Sequence, residues 1–284
     1  MTKIVCWNIN TSKKSCWEEL LAMDADVALL QEVSSIPCNL PAYVELEPWE
    51  LSDPWNPKDF DRWPVVVKLS DRVEVEWFRR VFPYSSTSIN TMAVSGIGTI
   101  AAARVIPQSS KPFIAISMYA RWIRPHVSTN SPWKVGNSDV SAHRIISDLS
   151  QFIGHRDPSK HRILAAGDLN TFYGATDDNK LCIADRERTV FDRMNALGME
   201  FMGPQHPDGG RVAEPTPQGL HKDTRNVPTY YTVQAGSPDK AQNQLDYVFA
   251  SRGFHYNVST RALNDPNEWG SSDHCRILID VIVS

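Results

Sequence analysis

The chain has 284 residues, 42% of them hydrophobic, and carries a net charge of −4 with a pI near 6.1. This length allows a substantial buried core. The acidic balance argues against a protein that holds nucleic acid mainly through a basic surface, because that affinity depends on Lys and Arg displacing counterions, and it leaves a local basic groove open.

The amino terminus and the cysteines indicate a cytoplasmic protein. The first residues, MTKIVCWNIN, contain neither a long apolar stretch nor a small-residue cleavage site. No segment approaches the roughly 20 apolar residues of a membrane span. The five cysteines are scattered without a CxxC pair, so we expect small core residues and neither a disulfide framework nor a zinc site.

Short apolar runs separated by turn-rich stretches predict mainly β-strands. Helical spacing is rarer, and each stretch that shows it has one apolar stripe suited to covering the face of a sheet. The predicted strands comprise residues 3–7, 27–30, 64–68, 99–105, 112–118, 162–166, 245–250 and 276–283, and the predicted helices residues 15–23, 141–153 and 186–197.

The chain shows no sign of division into separate units. A linker would be rich in Pro, Gly and Ser, and neither such a run nor an internal repeat is present. We therefore expect one domain over residues 1–284, with sheets flanked by helices. The irregular stretches at residues 34–62, 120–140 and 203–228 are typical of functional loops on one scaffold.

Polar side chains suited to a metal or a phosphate follow three of the predicted strands. KIVCWN ends at Asn8, and VALLQE ends at Glu32. RILAAGDLN ends at Asp168 and Asn170. Each is a carboxylate or an amide placed where an apolar run stops.

Two further strands carry their polar residues at the start: QLDYVFAS has Asp246, and SSDHCRILIDVIV has Asp273 and His274. In a sheet with antiparallel neighbours, the ends of some strands meet the starts of others along one edge, so all these groups can converge. Neighbours on a regular strand point to opposite faces. We therefore expect residues 271–274 to form a loop or an irregular strand start, so that Asp273 and His274 reach one site.

Convergence of these carboxylates calls for a counter-charge. Two like charges about 4 Å apart repel by roughly 4 kcal/mol at an effective dielectric near 20. A hard divalent cation removes that penalty, and carboxylate and amide oxygens suit Mg²⁺ or Mn²⁺ better than zinc. Taken singly, each residue also has a structural explanation without a metal. Asn8 is as typical of a turn, Asp273 with His274 is as typical of a hydrogen-bonded turn, and Asp246 is compatible with a buried acid whose hydrogen bonds are all made.

Five motifs occur in order along the chain: WNIN, LLQE, GDLN, QLDYVFAS and SSDH. Together they resemble the endonuclease/exonuclease/phosphatase superfamily, which includes exonuclease III-like repair nucleases and pancreatic deoxyribonucleases. The resemblance implies an α/β fold, a four-layer αββα sandwich of two mainly antiparallel sheets flanked by helices, and metal-dependent cleavage of a phosphoester. It also implies Glu32 as the principal ligand of Mg²⁺ or Mn²⁺, with Asn8 and Asp273 as further or second-site ligands.

The same resemblance implies the catalytic roles. Asp168 matches the general base that activates the attacking water, and Asn170 its partner in holding that water. His274 would contact the phosphoryl oxygens, with Asp246 fixing its tautomer and raising its basicity. Tyr119 matches a phosphate-contacting tyrosine of repair-type members, but the Ala-Arg-Trp that follows departs from their Pro-Asn, and a buried core tyrosine is the alternative.

Two predicted loops mix cations with aromatic rings, a combination that can track a phosphate backbone and stack on bases. The alternative is that these cations are simply solvated. The candidate substrate-binding residues are Arg121, Trp122, Arg124, Lys222, Arg225 and Tyr230.

Three functional hypotheses follow. The first is a Mg²⁺- or Mn²⁺-dependent nuclease with a nucleic acid substrate, DNA or RNA. The second is a phosphatase or phosphodiesterase acting on a small phosphorylated molecule or a lipid headgroup, which the acidic pI and the departure after Tyr119 favour. The third, a non-catalytic binding module on the same fold, is disfavoured because a scaffold needs no such charge cluster.

Overall fold

The computed structural model describes residues 1–11, 13–48, 62–95, 100–121, 127–130 and 138–282. Within these ranges, no helix has both the length and the apolar character needed to cross a membrane. The helices are α1 (Lys14–Leu21), α2 (Ser138–Leu149) and α3 (Ala184–Ala196), and the strands are β1 (Thr2–Asn8), β2 (Val27–Val33), β3 (Glu45–Leu46), β4 (Trp63–Lys68), β5 (Val73–Trp77), β6 (Arg79–Val81), β7 (Thr91–Ala93), β8 (Ile100–Pro107), β9 (Phe113–Tyr119), β10 (Ile163–Asp168), β11 (Met199–Gly203), β12 (Asp246–Ser251), β13 (Val258–Ala262) and β14 (Ile277–Val281).

Two six-stranded sheets form the scaffold. The first has the order β13-β14-β1-β2-β4-β3 and the second β11-β12-β10-β9-β8-β5, while β6 and β7 pair separately. Each six-stranded sheet is antiparallel except for one parallel pair at its centre, which is β1 with β2 in the first sheet and β9 with β10 in the second. The predicted α/β sandwich of two mainly antiparallel sheets is confirmed.

Alternation of side chains along the strands builds three apolar layers. Ile4 and Leu29 of the first sheet meet Leu164 of the second in the layer between the sheets. The outer face of the first sheet packs on Trp17 of α1, and the outer face of the second packs on α2 and α3 through residues such as Val190. Burying one such large side chain contributes about 1.5–3 kcal/mol, so both sheets and all three helices are held by the same effect.

The predicted strands all occur, with ends shifted by up to three residues in the described ranges, and the three predicted helices begin one to three residues earlier than expected. Six of the strands named above were not predicted: β3, β5, β6, β7, β11 and β13. Of these, β5 and β13 lie at sheet edges and alternate buried residues with polar residues that are mostly exposed, so their sequences lack a continuous apolar run. Strands β3, β6 and β7 are only two or three residues long, too short for a periodic pattern.

The cysteines agree only partly with the expectation of small core residues. All five thiols are free, and Cys6, Cys16 and Cys275 are buried. Cys38 is exposed and Cys182 is half-buried, so the expectation is wrong for these two residues. Both follow turn-rich sequence outside the strands and helices, where no apolar periodicity places a side chain inside.

Helix α3 carries a buried carboxylate that ties it to the segment after β10. Glu187 accepts a 2.8 Å hydrogen bond from the backbone N–H of Phe172. Burial raises the pKa of Glu187 from 4.5 to about 7, and the negative charge of Asp139 adds to the rise. The hydrogen bond from Phe172 and the positive charge of Arg186 lower this pKa but do not cancel the effect of burial. The folded protein therefore holds a proton on Glu187 at pH values where the unfolded chain has released it.

Because the folded-state pKa of Glu187 is raised, stability should fall as pH rises from about 4.5 to about 7 and then level off, a change of about 3 kcal/mol at most. Glu187→Gln keeps an oxygen acceptor for Phe172 and carries no charge. We expect this variant to flatten the pH dependence in that window and to raise the free energy of unfolding at pH 8 by about 1–3 kcal/mol. Urea unfolding between pH 4.5 and 8 measures both effects, with Glu74→Gln on the exposed side of β5 as the control.

Candidate active site

The central parallel pair of each sheet brings two strand ends to one edge of the sandwich. Asn8 ends β1 and faces Gln31 of β2, one residue before Glu32. In the second sheet, Asp168 ends β10 between Tyr119 of β9 and Asp246 of β12. The carboxyl ends of parallel strands are where open α/β sheets commonly place ligands, and here two such edges meet.

The backbone at this edge departs from ordinary strand geometry. The register of β2 and β4 shifts between Leu30 and Val33, and Glu32 lies in this irregularity with φ 55°. Asn10 and Asn170 also have positive φ, at 38° and 49°. Left-handed backbone costs a non-glycine residue about 1–2 kcal/mol, so the surrounding contacts must hold these residues in place.

The carboxylate of Glu32 is contacted at both oxygens. Its Oε1 accepts hydrogen bonds from Asn8 Nδ2 at 3.2 Å and from the Tyr119 hydroxyl at 2.9 Å. Its Oε2 pairs with Nη1 of Arg62 at 2.7 Å. The amide oxygen of Asn8 accepts from the backbone N–H of Asn10 at 3.0 Å, so in this arrangement Asn8 meets Glu32 through its nitrogen.

Asp168 lies fully buried beside Glu32. Its Oδ2 accepts from Asn8 Nδ2 at 3.0 Å and from Asn170 Nδ2 at 2.9 Å, and its Oδ1 accepts from the Asn170 backbone at 2.8 Å. Burial raises the pKa of Asp168 well above its usual range; His274 opposes the rise, and the charges of Asp246 and Glu32 add to it. A carboxylate with a raised pKa is a stronger base once it is ionised.

His274 and Asp246 form a buried pair next to Asp168. Nδ1 of His274 lies 2.8 Å from Oδ2 of Asp246, which leaves Nε2 as the ring nitrogen that a substrate can meet. Burial lowers the pKa of His274, but Asp246, through its charge and its hydrogen bond, and Asp168 raise it to about 10. Thr229 Oγ1 accepts from the Asp246 backbone at 3.1 Å and so helps to fix that residue.

The segment that carries Asp273 and His274 is irregular, which confirms the expectation for residues 271–274. It consists of bends and one isolated bridge between Tyr230 and His274, and β14 begins only at Ile277. The hydroxyl of Ser272 donates to the carbonyl of Asn8 at 2.7 Å, and Asn10 Nδ2 donates to Asp273 Oδ1 at 2.9 Å. These contacts bind the segment to the end of β1.

Of the predicted substrate-binding residues, Tyr230 lies at the site, with its ring 4.7 Å from that of His274. Arg121 follows Tyr119, and its backbone N–H donates to the Ser141 hydroxyl at 3.1 Å. Lys222 and Arg225 are exposed, and Arg225 Nε donates to the carbonyl of His206 at 2.6 Å. Trp122 and Arg124 lie outside the described residues.

The donor set fits a hard divalent cation. Asp168 and Asp246 offer carboxylate oxygens within 4.8 Å of each other and of the His274 ring, which is itself engaged with Asp246, and Glu32 adds a further carboxylate through the bridging amide of Asn8. Oδ1 of Asp246 is buried and has no hydrogen-bond partner among the described residues. Oxygen-rich groups with excess negative charge suit Mg²⁺ or Mn²⁺. The ion pair of Glu32 with Arg62 shows that this carboxylate is placed to hold a positive charge.

Three residues of the site were not identified from the sequence: Asn10, Gln31 and Arg62. Asn10 lies within the WNIN motif, and Gln31 donates from Nε2 to the hydroxyl of buried Ser117 at 2.9 Å. Arg62 immediately precedes Trp63, which pairs with Val33 next to Glu32. No local sequence pattern marks Arg62, because only the antiparallel pairing of β2 with β4 brings the residue before β4 next to the end of β2.

Solved structures with the same fold include three nucleases. An AP endonuclease from Leishmania major has a TM-score of 0.66 at 16% identity, with 100% of this chain and 88% of that chain covered. A 3'-5' exonuclease from Neisseria meningitidis has a TM-score of 0.59 at 14% identity, with 99% and 100% covered. An AP endonuclease from Archaeoglobus fulgidus has a TM-score of 0.57 at 13% identity, with both chains fully covered at 100%.

Sequence comparison gives the family directly. No curated protein sequence matches this chain. A profile of the Endonuclease/Exonuclease/phosphatase family matches residues 5–274, which includes each of the strand ends described above. The chain therefore belongs to the endonuclease/exonuclease/phosphatase family of phosphoester hydrolases.

Proposed function

We propose that this chain is a single-domain, divalent-metal-dependent phosphodiesterase that acts as a nuclease on DNA or RNA. The observation that carries the proposal is the buried cluster of Asp168, Asn170, Asp246 and His274 beside Glu32. A base, a charge-stabilising imidazole and a metal-binding carboxylate are the groups that water attack on a phosphodiester requires.

The chain's own residues divide the work of the reaction. Asp168, held by Asn170 and Asn8, accepts the proton of the attacking water. His274 presents Nε2 to a phosphoryl oxygen and stabilises its charge, while Asp246 keeps the ring oriented and protonated. Mg²⁺ or Mn²⁺, when bound, would neutralise phosphate charge from a position held by Glu32, with Asp273 as a further ligand. Asn8 would join them only by turning its amide oxygen, which now accepts from the Asn10 N–H, toward the metal.

Nucleic acid is the favoured substrate for two reasons. Tyr230 and Tyr119 line the site, and Tyr230 offers a ring face beside His274 on which a base could stack. The proteins of similar fold named above are AP endonucleases and an exonuclease. In this proposal Arg121, Lys222 and Arg225 contact the phosphate backbone, together with Trp122 and Arg124.

A small phosphorylated substrate is the second candidate, favoured by the net charge of −4 and by the engagement of Arg225 with the His206 carbonyl. A panel of single-stranded, double-stranded and abasic DNA, RNA, and small phosphomonoesters, each with Mg²⁺ or Mn²⁺, separates the two. Cleavage of polynucleotide with binding that weakens steeply in salt supports the nuclease. Turnover of the small substrates alone contradicts it.

Glu32→Gln is expected to abolish the stabilisation of the protein by Mg²⁺ or Mn²⁺. At a metal concentration of about 100 times Kd, binding to the folded state adds about 2.7 kcal/mol, which raises the Tm of the wild type. The amide is a weaker, neutral ligand, so the Tm of the variant should no longer respond. Thermal melts with and without metal measure this; Glu76→Gln, in an exposed ion pair on β5, is the control and should keep the full response.

A further inference from the structure

Arg62 forms an ion pair with the carboxylate that the proposed function assigns to the metal. Its Nη1 lies 2.7 Å from Oε2 of Glu32. Side-chain exposure is 39% for Arg62 and 13% for Glu32, so the guanidinium lies on the solvent side of the pair. Arg62 stands just before β4, and Glu32 stands in the irregular part of β2 that pairs with β4.

The two oxygens of Glu32 differ in how deeply their donors are buried. Oε1 is bonded to Asn8 and Tyr119, which are 0% and 5% exposed and end two central strands. Oε2 is bonded to the partly exposed Arg62. Oε2 is therefore the oxygen of Glu32 whose donor is reached by solvent, and an ion that binds Glu32 at this oxygen must take the place of the guanidinium.

A guanidinium and a divalent cation compete for the same oxygen. Both are attracted by the carboxylate, and their positive charges repel each other at contact distance. Asn8 Nδ2 donates to both Glu32 and Asp168, so these two carboxylates lie side by side and a counter-charge at Oε2 of Glu32 offsets their repulsion. Arg62 meets that need in the metal-free protein, and it must leave Oε2 for a metal to bind there.

We propose that Arg62 is the resident counter-ion of Glu32, which the metal displaces on binding, and that Arg62 thereby sets the metal affinity of the site. This inference rests on the proposed function, because it takes Glu32 to be a metal ligand. The guanidinium makes the metal-free site stable and makes metal binding weaker than the carboxylates alone would allow.

The test is a calorimetric titration of the protein with Mn²⁺ in the absence of substrate, which measures the Kd for the metal. Arg62→Met keeps the length of the side chain and removes its charge. Breaking a half-exposed ion pair is worth a factor of about 2–5 in an equilibrium constant, so the Kd for Mn²⁺ should tighten about 2- to 5-fold. Arg104→Met is the matched control, since Arg104 is 34% exposed and paired with Glu76 at 3.0 Å on β8 and β5; its Kd should equal that of the wild type.

Chemical rescue gives a second measurement that does not depend on one variant. In Arg62→Ala, guanidinium chloride below denaturing concentrations can refill the position next to Oε2. We expect it to weaken Mn²⁺ binding more than sodium chloride of equal ionic strength does, and to have no such excess effect on the wild type.

The outcomes separate this inference from the function on which it rests. If the wild type binds Mn²⁺, Glu32→Gln does not, and Arg62→Met binds with unchanged or weaker affinity, Arg62 is no competitor and the metal site stands. If neither the wild type nor Arg62→Met binds Mn²⁺, both the inference and the proposed function are wrong. Binding that appears or tightens only when Arg62 is replaced supports both.

Discussion

Replacing Asp168 with asparagine is expected to lower kcat for phosphodiester hydrolysis by a factor of about 10²–10⁴, the range that a general base supplies. The amide has nearly the shape of the carboxylate but cannot take up a proton. Asn8 and Asn170 both donate to Oδ2 of Asp168, so the charge they hold would be lost while the strand end stays in place. Steady-state hydrolysis of an oligonucleotide with Mg²⁺ measures the change, and KM should move far less than kcat.

Two controls test whether the loss of kcat comes from the chemistry of Asp168 and not from the loss of any acid or from misfolding. Asp178→Asn changes an exposed acid in the loop after Phe172 and should leave kcat within a factor of about two. Circular dichroism of Asp168→Asn should match that of the wild type, because β10 keeps its pairing with β9 and β12. An Asp168→Asn protein that folds and turns over at the wild-type rate would remove Asp168 from the mechanism.

Asp246→Asn is expected to cost about 10²–10⁴ in kcat by acting through His274. The carboxylate holds Nδ1 of the ring at 2.8 Å and raises its pKa, so an amide in its place leaves the imidazole less basic and free to adopt the other tautomer. His274 would then carry less positive charge near the phosphate. The loss should appear in kcat more than in KM, because phosphoryl charge grows toward the transition state.

A direct readout of His274 distinguishes this role from mere support of the fold. The pKa of its ring, followed by NMR, should be lower in Asp246→Asn than in the wild type, since the largest source of its rise is removed. Asp148→Asn is the matched control: this buried carboxylate on α2 accepts from the Ser95 backbone, and its loss should reduce stability without moving kcat or the pKa of His274. An unchanged ring pKa in Asp246→Asn would contradict the assignment.

The sequence predicted the positions of the strand ends because each is an apolar run stopped by one polar residue. Asn8, Glu32 and Asp168 were placed at one edge from this pattern alone, and the parallel pairs at the centre of both sheets bring them there. The irregular segment at Asp273 and His274 was also predictable, since both side chains could not face one site from a regular strand.

Other parts of the site depend on pairing that no single segment encodes. The contact of Arg62 with Glu32 requires the register of β4 against β2, and the contact of Asn10 with Asp273 joins segments from opposite ends of the chain. Local patterns carry no information on such partners. The direction in which Asn8 turns its amide is likewise set by the Asn10 backbone and by two carboxylates, which come together only in the folded protein.

The pairing of β1 with β14 has a consequence for how the protein acquires its activity. Thr2 lies opposite Val281 and Cys6 opposite Ile277, so the first and last described strands are neighbours in the same sheet. Contacts between such distant segments form late and slowly, because the chain loses the conformational entropy of closing a long loop before these contacts can stabilise it. His274 precedes β14, so the proposed phosphodiester-cleaving site is complete only in chains in which β1 and β14 have already paired, and folding intermediates that lack this pairing should be inactive.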